Sequence, residues 1–285
     1  MTPTLALDTG TGSVRSPLPA PRSPLLKVLR YELSNVARSR WLLGYAAFFL
    51  LATDALLRFG GGGPKALLSL VNVVLFVIPL VGLVFGTTYL HAAREFTEVL
   101  LAQPVSRGQL FAALWLGLAL PLAGAFALGV ALPFAWHGLG DDPAALATLL
   151  TLGGVGVALT AVFVALAFLI AVRSDDRVKG LGVAVGLWLA LGLLYDGLVL
   201  LLVAMFADYP IERPVLALML ANPIDLGRVL LLTRFDSGAL LGYTGAVFAR
   251  FFQGAGGTAV AATALALWIA VPVALGRRAF LRKDF

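Results

Sequence analysis

The chain has 285 residues, of which 60% are hydrophobic and 13% are charged. A water-soluble domain of this length cannot hide that much apolar surface, so the composition predicts an integral membrane protein. The net charge of +6 comes from short clusters beside apolar runs, which indicates membrane-flanking loops and not a nucleic-acid surface. The sequence has no cysteine, which excludes disulfides, iron–sulfur clusters and thiolate metal sites.

The N-terminal region divides into two parts. Residues 1–22 are rich in Thr, Ser, Gly and Pro and lack the apolar core of a signal peptide, which predicts a disordered cytoplasmic leader. Leu25 to Arg40 then carries leucines at helical spacing with basic residues beside them, as expected of an amphipathic helix in the headgroup plane. Residues 23–285 as a whole are predicted to form one transmembrane domain.

Six apolar runs are long enough to cross ~30 Å of hydrocarbon, which predicts an all-α membrane protein with six spans. These runs are 41–57, 66–90, 110–136, 144–172, 180–206 and 256–275. Both termini and the loops on their side of the membrane hold most of the 21 lysines and arginines. That side is therefore predicted to be cytoplasmic.

Two features are predicted on the outer side. Asp54 and Arg58 lie four residues apart at the end of the first span, which favours an interfacial ion pair over a role in transport. The connection 207–255 contains two apolar pieces, Val215–Leu220 and Leu226–Leu232, that are too short to span. We expect them to form short re-entrant or interfacial helices against the outer ends of the bundle.

Asp196 is an acidic residue well inside a predicted span, directly after Tyr195. If that span starts at Gly180, a rise of ~1.5 Å per residue puts Asp196 about 24 Å along it, in the outer half. A charge at that depth is costly and indicates a functional site. A structural hydrogen bond to a neighbouring helix, or a protonated carboxyl near the outer interface, remains the alternative.

The charged stretch 91–109 lies between the second and third spans on the predicted cytoplasmic side. Arg94 and Glu98 are four residues apart and can pair on one helical face. Pro104 ends this helix, and Ser106 begins a capping box for the next one. The pattern predicts a rigid amphipathic helix at the membrane edge that a soluble partner could push; an ordinary polar loop is the alternative.

Sequence signatures of catalysis are missing. The glycine cluster at 60–63 lacks the Lys-Ser/Thr of a nucleotide-binding loop, and neither a zinc-protease motif nor a nucleophile elbow occurs. The carboxylates are few and peripheral, and the two histidines are far apart in sequence. We therefore predict that the chain is not an enzyme and has no catalytic, cofactor or metal site of its own.

The stretch between the second and third spans has a characteristic order of residues. Its members are Glu95, Thr97, Leu100, Leu101, Pro104, Ser106 and Arg107. With the amphipathic N-terminal helix, the six spans and the basic C-terminus, this order resembles the membrane subunits of ABC-2 type transporters. The resemblance implies that the amphipathic helix is an elbow helix and that the charged stretch is a cytoplasmic coupling helix.

The same resemblance implies two groups of cytoplasmic site residues. Those expected to couple to an ATPase are Arg94, Glu95, Thr97, Glu98, Leu100, Pro104 and Arg107. Those in the second cytoplasmic loop are Arg173, Asp175, Asp176 and Arg177.

Within this family the chain is most similar to permeases that act in the maturation of nitrous-oxide reductase. The similarity is carried by Arg107-Gly-Gln, by Tyr195-Asp196, and by an outer-loop motif formed by Asn222, Pro223, Asp225 and Arg228. That motif predicts a turn at Asn-Pro and a helix with an acid in its first turn, where the helix dipole favours it. A plain structural cap is the alternative.

The resemblance also implies partners and a role. It implies a homodimer in the bacterial inner membrane, a cytoplasmic ATPase that binds ATP and Mg, and a periplasmic repeat protein. The implied activity is ATP-driven transport of a sulfur species for assembly of the copper–sulfur centre of the reductase. An exporter of a drug, lipid or polysaccharide, and a mechanotransmitter that moves a periplasmic partner without transport, remain open.

Overall fold

The computed structural model describes residues 24–60, 63–93, 106–137, 143–206, 212–232 and 254–283. The described elements are all helical. They are α1 (Pro24–Ala37), α2 (Arg40–Phe59), α3 (Gly63–Ala92), α4 (Arg107–Trp136), α5 (Pro143–Arg173), α6 (Arg177–Leu189), a π-helical turn (Ala190–Leu194), α7 (Tyr195–Met205), α8 (Glu212–Leu220), α9 (Pro223–Leu232) and α10 (Ala255–Arg282).

Within the described residues, six helical segments are each long and apolar enough to cross a membrane, in agreement with the predicted number of spans. They are α2, α3, α4, α5, the continuous run from α6 to α7, and α10. The largest shift in a boundary is at the last span, which extends to Arg282, beyond the predicted Leu275. The helix continues through Gly276, which lies against Phe111, and Phe280 in its last turns is buried.

The helix α1 precedes the first span and packs mainly on α4. This helix was expected from the leucine spacing, and the structure bears out its presence over Pro24–Ala37. Glu32 is buried where α1 meets α4, because Gly117 has no side chain and lets the Glu32 stem come close. The position of α1 in the headgroup plane and its role as an elbow helix remain predictions.

The helix α5 forms the centre of the bundle, since α3, α4, α9 and α10 all pack against it. Its residues 162–168 are buried. The closest approach is to α3, where Gly82 and Gly86 face Phe163 and Ala167. Two small residues one turn apart let the backbones of membrane helices approach and gain dispersion contacts. Helix packing in this core therefore depends on missing side chains on α3.

The fifth span differs from the others because it is interrupted and lies on the outside of the bundle. The π-helical turn at Ala190–Leu194 joins α6 to α7. Large apolar side chains on this span, including Leu193, Leu194 and Leu200, are exposed. This face is therefore open to lipid or to another protein.

The outer connection contains α8 and α9, which meet at a bend of 106°. The two short helices that were expected here are present, and together they form either a broken span or a re-entrant segment. The helix α9 lies deeper than the outer ends of the bundle: a Cβ at Gly227 would come within 3.1 Å of Val155 and 3.3 Å of Leu75. Each of these residues is twelve positions inside its helix, or ~18 Å at 1.5 Å per residue. Gly227 permits this insertion because it presents no side chain.

On the predicted outer side, the end of the first span is hydrogen-bonded to the end of the third span. The Asp54 carboxylate pairs with Arg58 at 2.8 Å, as the spacing predicted. It also accepts a hydrogen bond from the Trp136 indole at 2.9 Å and contacts His137 Nε2 at 2.9 Å. These contacts join α2 to α4.

We expect Gly86→Leu to disrupt the packing of α3 on α5. A Cβ at Gly86 would lie 2.5 Å from the Ala167 Cβ, so a larger side chain must push the helices apart. Overpacking of this kind costs about 1–3 kcal/mol. Thermal unfolding of the purified protein in detergent measures the loss. Gly154→Leu on α5 is the matched control, because nothing lies within 4 Å of its Cβ position; equal effects of the two substitutions would contradict this account.

Candidate functional site

Two polar clusters among the described residues contain residues predicted for the site, one inside the membrane region and one at the end of the bundle where α10 ends. The intramembrane network consists of Tyr195, Asp196, Asn222, Asp225 and Arg228, from α7, α9 and the bend before α9. The cytoplasmic junction consists of His91, Arg107, Asp175 and Lys283. The name of the junction follows the predicted topology.

Asn222 organises the start of α9. Its Oδ1 accepts the backbone N–H of Ile224 at 3.0 Å, which caps one of the free donors of the first turn. Pro223 occupies the first helical position, where a missing N–H has no cost. Asp225 lies in the first turn. This geometry agrees with the turn and helix that the sequence predicted.

The same Asn222 also joins α9 to the fifth span. Its Nδ2 donates to the Leu191 carbonyl at 2.8 Å and to Asp225 Oδ2 at 3.1 Å. Leu191 lies in the π-helical turn. Tyr195, just after that turn, donates to the Leu218 carbonyl of α8 at 2.7 Å. Asn222 therefore caps α9 and also bonds α9 to the fifth span. The motif is a structural cap and a tertiary contact at the same time.

Arg228 bridges two carboxylates. Its Nη1 lies 2.8 Å from Asp196 Oδ2 on α7 and 3.0 Å from Asp225 Oδ1 on α9. The Asp225 side chain is 10% exposed, whereas those of Asp196 and Arg228 are about one-third exposed. Asp196 thus forms an ion pair with a residue of a neighbouring helix, whereas the sequence analysis considered a structural hydrogen bond to such a helix.

The balance of charge limits what the network can bind. Two carboxyl groups face one guanidinium, so the cluster has no excess of positive charge for an anion. An ion pair at this depth is retained because each unpaired charge would cost several kcal/mol in hydrocarbon. The arrangement can hold α7, α8 and α9 together, and it can be broken or re-formed if the fifth span moves.

The cytoplasmic junction surrounds the two ends of the stretch 94–105. On the entering side, His91 Nδ1 lies 2.8 Å from the Thr87 carbonyl, and its Nε2 lies 3.2 Å from the Ser174 carbonyl. On the leaving side, Arg107 donates to the backbone carbonyl of Lys283 at 2.9 Å. The described residues on either side of this stretch, His91 and Arg107, therefore contact Ser174 of the second cytoplasmic loop and Lys283 near the end of the last helix.

Lys283 connects these attachments to one another. Its Nζ donates to the Val172 carbonyl at the end of α5 at 2.8 Å and pairs with Asp175 at 3.0 Å. Nearby, Gly108 lies against the Arg277 guanidinium, so that a Cβ there would be 2.9 Å from Arg277 Nε. The C-terminus thus ties the start of α4 to the end of α5.

The second cytoplasmic loop has a divided role in this geometry. Asp176 caps α6 by accepting the Val178 N–H at 2.7 Å, whereas Asp175 pairs with Lys283. Arg173 and Arg177 are exposed. Two adjacent residues of the loop therefore have different roles: Asp176 begins the fifth span, and Asp175 contacts Lys283 at the end of the last helix.

The predicted coupling residues are only partly described. Arg94, Glu95, Thr97, Glu98, Leu100 and Pro104 lie outside the described residues, and their proposed role stays a prediction. Arg107 is described, and Ser106 caps α4 by accepting the Gln109 N–H at 3.3 Å, as expected.

Sequence reasoning missed His91 and Lys283 as tertiary contacts. His91 had been considered only as an isolated metal ligand, and Lys283 only as one of several basic residues that set the topology. Both residues lie at the ends of predicted spans, and this position is the sequence feature that could have identified them. Among the described residues, no group of three His, Asp or Glu side chains is arranged to hold a metal ion.

Comparisons with known proteins place the chain in a family. The family model described as ABC-2 family transporter protein matches residues 26–285. The chain belongs to the ABC-2 transporter family. It is an ABC transporter permease subunit and a multi-pass membrane protein, and such permeases work with an ATPase and are not themselves enzymes.

Two relatives carry a more specific name. A Pseudomonas aeruginosa protein named "Probable ABC transporter permease protein NosY" is 29% identical over 271 residues, covering 90% of this chain and 97% of the relative. A Stutzerimonas stutzeri protein with the same name is 26% identical over 243 residues, covering 75% of this chain and 84% of the relative.

We expect Arg228→Met to destabilise the protein by about 3 kcal/mol, because it leaves the buried Asp225 and the one-third-exposed Asp196 without their cation. Arg58→Met removes a cation from the Asp54 pair, where the Arg58 side chain is 56% exposed, and should cost less than about 1 kcal/mol. Thermal unfolding in detergent compares them. Adding Asp196→Asn to Arg228→Met should recover part of the loss; a further loss would show that Arg228 does not neutralise Asp196.

We expect Lys283→Met to weaken the response of the permease to its ATPase with little change in stability. The Asp175 side chain is 91% exposed, so this ion pair contributes less than about 1 kcal/mol. ATP hydrolysis and ATPase retention are measured in the complex reconstituted in liposomes. Arg282→Met, one residue earlier and exposed, is the matched control. Wild-type ATP hydrolysis and ATPase retention in Lys283→Met would contradict a role of Lys283 in coupling.

Proposed function

We propose that this chain is the permease of an ABC transporter that serves the maturation of nitrous-oxide reductase. In this role it couples cytoplasmic ATP hydrolysis to delivery of a sulfur species for assembly of the copper–sulfur centre. The names of the two relatives support this proposal. The Asn222-Pro223-x-Asp225-x-x-Arg228 motif supports it as well, because its residues build a tertiary network instead of lying in a surface loop.

The observation that carries the coupling mechanism is the ion pair between Asp196 and Arg228. It completes a continuous mechanical path across the bundle. His91, which precedes the stretch 94–105 in the chain, contacts the 174–175 loop. That loop leads directly into α6, and α6 continues through the π-helical turn into α7. The ion pair then joins α7 to α9, which leads to the outer side. Movement of the coupling stretch is transmitted along this path.

The π-helical turn gives the path a hinge. A π turn adds one residue to a helix and weakens its regular bonding, and such turns are frequent at functional sites. In this protein the turn carries the Leu191 carbonyl that Asn222 binds. A change in the π turn would therefore alter the start of α9 directly.

Mechanotransmission without transport is a second candidate that one observation favours. The helix α9 is almost entirely buried against α3, α5 and α10, and it occupies the outer half of the bundle. The network beside it has more acid than base, which disfavours an anionic sulfur species. In this form of the proposal, α9 and the outer connection move a periplasmic partner and nothing crosses the membrane.

The proposed assembly follows from the resemblance. Two copies of the chain form a homodimer in the inner membrane with both termini in the cytoplasm, and residues 1–22 are the leader. A cytoplasmic ATPase, which binds ATP and Mg, contacts the coupling residues, and a periplasmic repeat protein contacts the outer connection. The exposed apolar face of the fifth span provides surface for a second copy. Export of a drug, lipid or polysaccharide is the rival function.

We expect Asp196→Asn to leave the complex assembled but to lower the yield of reductase with a complete copper–sulfur centre severalfold. The neutral side chain still contacts Arg228 but no longer holds it by charge. Co-purification of the ATPase and the periplasmic protein reports assembly, and the optical spectrum of the reductase reports the centre. Asp54→Asn is the control, because it changes an acid in another span. Normal maturation with Asp196→Asn would contradict the coupling mechanism, and a reductase unaffected by deletion of the gene would contradict the function itself.

A further inference from the structure

A side cavity of about 510 Å³ lies between α1, α2, α3 and α4 and reaches the first residue of α6. This volume falls within the ~300–1,000 Å³ range of small-molecule pockets. The cavity takes no part in either polar cluster described above. It opens at the same end of the bundle as the cytoplasmic junction, because its lining includes Ser39, Ala92 and Arg177, which lie at helix ends.

The lining of the cavity changes in character along the membrane normal. At the end of the bundle the walls include Asn35, Ser39 and Arg177. Further in they consist of apolar side chains such as Val84 on α3 and Leu122 on α4. Leu122 is fifteen residues from the start of α4, or ~22 Å along it. A ligand that fits must therefore have a polar end at the helix termini and an apolar part that extends into the bundle.

The charge at the polar end is positive. Arg177 lines the cavity, and Arg38 and Arg40 flank Ser39 in the chain; all three are exposed. Within the part of the chain that the structure describes, the ion pairs involve none of these three arginines. The neighbouring acid Asp176 caps α6 and does not line the cavity. The polar end is thus complementary to an anion.

The one carboxyl group behind the cavity does not oppose an anion. Glu32 is buried and contacts the hydroxyl of Tyr89, which also lines the cavity. Burial raises the pKa of Glu32, which favours its uncharged form, although the contact with Tyr89 acts in the opposite direction. The positive charge of the arginines therefore dominates at the opening.

The geometry points to this cavity as a binding site for an anionic phospholipid of the surrounding bilayer. The phosphate lies at Arg177, at the end of the cavity where Arg38 and Arg40 flank the lining residue Ser39, and one acyl chain enters between α2, α3 and α4. Basic pockets between membrane helices bind anionic headgroups in this way. Bound lipid would fill the space between the first two spans and the start of the fifth span, and so would hold α6 in place beside α1.

Binding is tested with the full-length protein, purified in detergent with its ATPase, by native mass spectrometry. Phosphatidylglycerol and phosphatidylcholine with identical acyl chains are the two probes. We expect phosphatidylglycerol to bind and to bind more tightly than phosphatidylcholine. Equal binding of the two overturns the proposal because it shows no preference for the anionic headgroup. No binding of either overturns it as well and is the result expected if a second copy of the chain fills the cavity.

Two pairs of variants locate the site. Arg177→Ala should weaken phosphatidylglycerol binding about fivefold, from the ~1 kcal/mol that one basic residue contributes near a lipid headgroup. Lys179→Ala removes the same charge two residues away, outside the lining, and should leave binding unchanged. Val84→Trp fills the apolar end and should abolish binding, whereas Leu128→Trp, on an exposed part of α4, should not.

Each outcome of these variants bears on the proposal. Equal effects of Arg177→Ala and Lys179→Ala show unspecific attraction and overturn the site. Retained binding in Val84→Trp does the same. Thermal unfolding checks that each variant is folded, and Arg177→Ala, on an exposed side chain, decides the question if Val84→Trp does not fold. This test reads lipid binding alone, so it is independent of the proposed role in reductase maturation.

Discussion

Arg228 lies within a bundle of apolar helices, and the surrounding structure is arranged so that its charge is paired. A guanidinium alone in hydrocarbon costs at least ~2.5–3.5 kcal/mol, so it requires carboxylates at contact distance. Asp225 is supplied by the same helix, whereas Asp196 comes from the fifth span. The pairing can form only if α9 turns back into the bundle, and that turn requires the sharp bend, the Asn222 cap and the missing side chain at Gly227.

The same requirement connects the two sides of the membrane. Asp196 is the second residue after the π-helical turn, and in the proposed mechanism its ion pair transfers a displacement of the fifth span to α9. At the other end, the span begins at a loop that is bonded to His91 and Lys283. The fifth span contributes little to the buried core, whereas α5 provides the fixed centre. An exposed, hinged helix beside a rigid core is suited to transmit motion.

The site was only partly predictable from the sequence. Tyr195, Asp196 and the Asn222 to Arg228 motif stood out because polar residues within apolar runs are costly, and the structure brings all of them into one network. Arg228 had been counted as a charge of the outer loop, and the structure places it inside the bundle instead. Lys283 and His91 did not stand out, because charged and polar residues at the ends of spans are common and most have no tertiary partner.

The sequence by itself determined the fold class, the six spans, the short outer helices and the helix caps at Ser106 and Asn222. These are local properties: lipid requires about 20 apolar residues per crossing, and each helix satisfies its own backbone hydrogen bonds. Tertiary structure alone decided the depth of α9, the partner of Asp196 and the contacts of Lys283. Arg228 and Asp196 are 32 positions apart in the chain, and Lys283 and Asp175 are 108 positions apart. Hydrophobic periodicity contains no information about which distant side chains will meet.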